Sequence, residues 1–264
     1  MKLNQHLKEW KQTVSYRFPQ LSLPQVSGLA TWSFGMVMTR SSSLTRVSHL
    51  IAKLNQEQEN TVRQRLKEWY KEGLAKAKKG NKRVSLEVKD CFASLVRWIV
   101  ELLPSTTQEL PIALDATSIG ANFTVLSINW LILTDFQATD VDISWYRFRC
   151  WIECSYRDLK SDGWQWQKTR LRQPDRAERH WLAMAVALLW MVTLGGEQEV
   201  SSNEELISDS SDSKEGILTR QISCFLNGLL TVVVRLLKGQ SFSLGRLKPI
   251  SFNHLSDLTF SDSS

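Results

Sequence analysis

Tyr146, Arg149, Glu153 and Lys160 stand three, seven and fourteen residues along from the first of them. On a helix, at about 100° per residue, they fall within an arc of about 60° and share one face. One carboxylate is then flanked by two cations and a phenol. Farther along, Trp151, Trp164 and Trp166 lie beside a basic run ending in Lys168 and Arg170. That combination suits packing near a phosphate backbone and stacking on a displaced base. The alternative is an amphipathic surface helix whose charged face is merely solvated.

The element that must position these side chains is a helix beginning near Trp145. Asp142 can serve as its N-cap, no Pro or Gly interrupts it before Gly163, and Gly163 stands where a left-handed C-cap residue would end it. This predicts about five turns. Trp145, Phe148, Ile152 and Leu159 form an apolar stripe beside the polar row, which would seat the helix on a core.

The spacing Tyr-x2-Arg-x3-Glu-x6-Lys resembles the signature helix of the DDE transposases of bacterial insertion sequences, and more narrowly that of the insertion-sequence-four family. The resemblance implies that Glu153 is a metal-binding carboxylate of a ribonuclease H-like catalytic core. It implies that Tyr146, Arg149 and Lys160 contact DNA, with Arg157, Trp164 and Lys168 of the same stretch beside them.

A second carboxylate fits the same picture. Pro111 to Asp115 and Phe123 to Ile128 read as two strands of a hairpin turning through Ser118, Gly120 and Asn122. An acid in an otherwise apolar strand costs several kcal/mol if buried charged and unpaired, so Asp115 needs a cation or access to water. The sequence ALDAT is similar to the family's first catalytic strand, which implies that Asp115 is its first Asp. Asp115 and Glu153 would then hold Mg²⁺, which activates water or a 3′-hydroxyl for phosphoryl transfer.

The resemblance is incomplete in the middle. A full ribonuclease H-like core needs further strands, a helix and a second Asp between Asp115 and the signature helix, at least about 50 residues. Only residues 116 to 144 are present, and the junction near Ile128 and Asn129 reads as an internal deletion. Asp135, at the end of the apolar run Trp130 to Leu133, could stand in for the missing Asp, but Asp135, Asp140 and Asp142 read rather as loop and N-cap residues.

Residues 1 to 108 read as helical. An amphipathic segment runs to about Val14, Pro19 and Pro24 break the pattern, and a segment from Leu29 to Met38 follows. Ser41 to Ser43 cap a helix carrying Leu44, Val47, Leu50 and Leu54, and Asn60 or Thr61 caps the next, a helix-turn-helix-like pair. Between Thr61 and Lys89, ten Lys and Arg residues face Glu68, Glu72 and Glu87, an excess larger than the chain's net charge of +6. Such a field suits phosphate binding through counterion release, and equally an ordinary solvated helix. In the family the N-terminal part binds transposon ends, which favours DNA.

After the signature stretch, Pro174, Asp175 and Glu178 open a helix expected to stop at Gly195 and Gly196. Residues 197 to 216 are acidic and Ser-rich, and read as a disordered linker. A last apolar helix spans roughly Ile222 to Leu237. Residues 217 to 252 form a C-terminal helical segment, in which SLGRLKPISF is similar to the family's closing stretch.

The four cysteines, at 91, 150, 154 and 224, show no metal spacing and read as reduced. His6, His49, His180 and His254 are isolated and carry no assigned chemistry. The N-terminus lacks the apolar core of a signal peptide, and the apolar runs 181–194 and 225–237 fall short of the ~20 residues of a membrane span.

The expected architecture is therefore α+β: a helical DNA-binding region over 1–108, a truncated ribonuclease H-like core over 109–196, the linker, and the C-terminal segment. The resemblance implies a cytoplasmic, Mg²⁺-dependent enzyme of DNA transposition acting on duplex terminal repeats, with a homodimer on DNA as a further expectation. The shortened middle makes it a catalytically defective remnant. The alternative is a non-catalytic DNA-binding protein that interferes with an intact transposase.

Overall fold

The computed structural model describes residues 3–73, 85–103, 114–119, 123–128, 149–160, 163–209, 222–241, 244–245 and 247. For 114–119, 123–128, 149–152, 154 and 199–209 it describes the backbone only. Tyr146, the Asp135 to Asp142 group, Trp145, Phe148, His254 and the basic residues Lys76, Lys78, Lys79, Lys82 and Arg83 lie outside the described residues.

Eight α-helices are described: α1 (Leu3–Arg17), α2 (Leu23–Thr39), α3 (Leu44–Asn55), α4 (Glu59–Trp69), α5 (Phe92–Leu102), α6 (Arg149–Leu159), α7 (Pro174–Asp209) and α8 (Cys224–Leu237). One antiparallel pair, β1 (Leu114–Ile119) with β2 (Phe123–Ile128), sets Asp115 opposite Ser127. The protein is thus helical, and the α+β class with a ribonuclease H-like core is corrected. A lone two-stranded ribbon is not a core sheet, since three or more strands are needed to build an independent apolar layer. The core of the described residues is instead made by helix faces and their tryptophans.

Local sequence explains most helix starts. Pro24 opens α2 and does not break it, because the first turn needs no N–H from it, and the Gln25 side chain accepts from the Ser22 N–H at 2.8 Å. Ser43 is the N-cap position of α3, as expected, whereas α4 begins at Glu59, just before the expected Asn60 or Thr61.

The middle of the bundle is α2, buried continuously from Leu29 to Val37. Trp10 of α1 donates to the Ser33 hydroxyl at 2.8 Å and stacks on Trp190 of α7 with centroids 4.2 Å apart. Trp98 of α5 packs beside Trp10 and edge-on to Phe18. Helices from the N-terminal region and α7 therefore share one core.

Two expected helix ends are corrected. The chain passes through Gly195 and Gly196 in helical conformation and continues to Asp209, so residues 197–209 are helical and not linker. A Cβ at Gly195 would collide with the Cys224 carbonyl, and one at Gly228 with the Met191 carbonyl. Both glycines let α7 and α8 touch backbone to backbone, and neither acts as a left-handed cap. Gly163 is likewise no left-handed cap: it is buried against the Asp158 carbonyl and the Phe225 ring.

Among the described residues one helical stretch, Pro174–Gln198, is long and apolar enough to cross a membrane by length and composition. Two thirds of it is buried inside the bundle, as befits a core helix.

Candidate functional site

Helix α6 carries what is described of the signature row. Arg149 opens the helix, and Glu153 and Arg157 follow at successive intervals of four, with Lys160 just past its end. Residues so spaced are neighbours on one helix surface. Glu153 and Arg157 are exposed and Lys160 is half-buried, its ammonium 5.8 Å from the centre of the Tyr156 ring. The opposite side is anchored by buried Tyr156, Asp158 and Leu159. The structure thus brings Glu153, Arg157 and Lys160 to one solvent-facing row.

What fixes that row is the turn after it. The Trp164 N–H donates to the Asp158 carbonyl at 3.0 Å, and the Trp164 carbonyl accepts from both the N–H and the hydroxyl of Ser42 at 2.7 Å. Trp164 meets the Phe225 ring edge-on at 4.9 Å. Its side chain is 0 % exposed, which corrects the expectation that it stacks on a base: in this fold it ties α6 to the elbow between α2 and α3. Trp166 is buried too, against His180 and Trp181. Lys168 remains exposed and donates to the Gln165 side chain at 3.2 Å.

His180 sits in the aromatic cage behind this junction, edge-on to Trp32 at 4.7 Å. Neither ring nitrogen has a hydrogen-bond partner by geometry. Burial pushes its pKa down to about 3 against a smaller opposing pull from the Ser42 backbone, so it is neutral at any working pH. This histidine is a core residue with no catalytic partner among the described residues.

The sequence reading did not single out Arg179, whose side chain is buried and donates to the carbonyls of Leu86 at 2.6 Å and Tyr70 at 3.2 Å. Arg176 beside it holds Glu72 bidentately at 3.0 Å and keeps that carboxyl below its usual range. Nor did it single out Arg172 or pair Arg170 with Arg40, all three exposed. The legible signal was the alternation Lys168, Arg170, Arg172 without an acid between them.

The transposase DDE domain family matches residues 42–190, more than half of the chain. The chain belongs to the DDE transposase family. No curated protein and no solved structure matches it. Membership carries a function in DNA transposition and DNA as substrate, and the family is generally cytosolic and works with a divalent metal. Among the described residues no three His, Cys, Asp or Glu side chains gather to hold such an ion. Glu153 stands exposed on α6, and Asp115 is described by its backbone in β1 alone. The described residues do not assemble a metal centre.

Proposed function

We propose that the chain is a remnant of an insertion-sequence-four transposase that binds duplex transposon ends without cutting them. The observation that carries this reading is the length between the two expected carboxylates: residues 116 to 144 cannot supply the strands and second Asp that a complete centre needs. Two-metal phosphoryl transfer requires ligands placed within a fraction of an ångström, whereas phosphate binding tolerates looser geometry. The row Arg149, Arg157, Lys160 and Lys168, with Tyr146 upstream and the basic stretch 61–89, supplies cations for phosphate contacts. Asp115 and Glu153 are the carboxylates left from the ancestral Mg²⁺ site. A chain that occupies ends without cleaving them competes with an intact transposase, singly or as a homodimer.

The test is a supercoiled plasmid carrying the cognate terminal repeats, incubated with the full chain in Mg²⁺ or in EDTA. Retardation of the end fragments without nicking in either condition is expected. Nicking that needs Mg²⁺ and disappears in Glu153→Ala would sink the reading and restore an active enzyme.

A further inference from the structure

The described residues contain four non-glycine residues with positive φ: Arg40 (48°), Gln56 (57°), Gln165 (55°) and Arg170 (54°). Three of them, Arg40, Gln165 and Arg170, lie on the two segments joined by the double hydrogen bond from Ser42 to the Trp164 carbonyl. Arg40 lies two residues before Ser42, Gln165 directly after Trp164, and Arg170 on the same loop beyond buried Trp166. The left-handed conformation is one that glycine adopts without cost and that other residues rarely hold. Arg40 holds it as the C-cap of α2, a position that glycine usually fills, and both Arg40 and Arg170 present exposed guanidiniums.

The charge around the junction is one-sided. From Met38 to Gln56 the chain contains no Asp or Glu, and none occurs from Gly163 to Pro174. The nearest carboxylates in sequence, Asp162 and Asp175, bracket the loop. Arg40, Arg46, Arg170 and Arg172 are exposed, and among the described residues none pairs with a carboxylate. Lys168 is held only by neutral Gln165. The Ser42–Trp164 hydrogen bonds thus join two segments, more than a hundred residues apart, that each carry exposed guanidiniums and no acid of their own. Guanidinium groups match phosphate oxygens bidentately, and an acid-free patch is what a polyanion needs.

We propose that this elbow-and-loop junction is a phosphate-binding surface for duplex DNA, extending beyond the α6 row, with Arg40 and Arg170 as its anchoring contacts. The inference rests on the reading of the chain as a DNA-binding protein. It adds where a second stretch of backbone is gripped, and why arginine stands at two positions where glycine would suit the fold better.

The test uses the full chain, a fluorescent 30-base-pair duplex and a salt titration of affinity, with a melting curve for each protein. The double variant Arg40→Gly/Arg170→Gly is expected to bind more weakly, with the log–log salt slope shallower by about 2, close to one per lost phosphate contact. Its melting temperature should be unchanged or raised. Arg40→Lys/Arg170→Lys should recover most of the slope. Gln56→Gly, which relieves the same backbone conformation at the far end of α3, should leave binding alone. If the wild-type chain binds the duplex and the double glycine variant binds it equally well, this surface is wrong while the DNA-binding reading stands. If the wild-type chain shows no salt-dependent binding, both fall. A lowered melting temperature in the glycine variant would make the arginines structural and overturn the proposal.

Discussion

His180 shows how a residue that reads as isolated acquires a thermodynamic role once it is enclosed. Its folded pKa of about 3 lies below the ordinary value of 6.5, so the unfolded chain takes up a proton first as pH falls. The stability owed to its burial is complete above pH 6.5 and is lost progressively between 6.5 and 3. The slope is about 1.4 kcal/mol per pH unit for one proton. Urea midpoints of His180→Phe should therefore decline less between pH 6.5 and 4 than those of the wild-type chain. Parallel slopes would show that other groups dominate the acid limb. Trp164 teaches the complementary lesson: indole beside a basic run has the composition of a stacking platform, yet the same apolar ring serves a core equally well. Only Phe225, Gly163 and the Ser42 contact decide between the two.

At the scale of the element, the contact between α7 and α8 is set by glycines that a sequence reading takes for punctuation. Replacing either of the adjacent pair by Ala should gain about 1 kcal/mol of helix propensity. At Gly196 the nearest atom to a new Cβ is the Cys224 sulfur at 3.6 Å, an ordinary contact, so Gly196→Ala should stabilise the protein. At Gly195 the Cβ meets the backbone of Cys224, which cannot swing aside, so Gly195→Ala should lose about 1–3 kcal/mol despite the propensity gain. Opposite shifts in thermal midpoint, read by circular dichroism, are the expected outcome. Equal shifts would mean that the helices separate here at little cost. The passage of α7 through Gly195 and Gly196 accords with that packing, because helix formation past a glycine needs tertiary support that propensity alone does not give.

For the whole molecule, Arg179 links α7 to the chain on both sides of the basic stretch. Arg179→Met removes the guanidinium donors to the Tyr70 and Leu86 carbonyls, and should cost about 2–4 kcal/mol. Trp10 on Trp190 joins the first helix to the same core, so the loss should move one cooperative transition seen alike by tryptophan fluorescence and far-ultraviolet circular dichroism. Two separated transitions would show that the N-terminal helices and α7 unfold as independent units.

Whereas β1 runs through Ser118, a residue expected in a turn, the sequence by itself determined that the N-terminal region is helical, that Ser43 stands at the N-cap position of α3, and that Arg149 and Glu153 lie on one helix. Each of these depends on spacing along a single element, which periodicity and capping chemistry encode locally. Tertiary structure alone decided that Trp164 and Trp166 face inward, that Gly163 and Gly195 are points of close approach, and that the elements pack as helices around α2. It also decided that the segments carrying Arg40 and Arg170 are joined, through the hydrogen bonds of Ser42 to the Trp164 carbonyl. Those outcomes depend on which distant segment lies opposite a residue, and nothing in a residue's own neighbourhood specifies that partner.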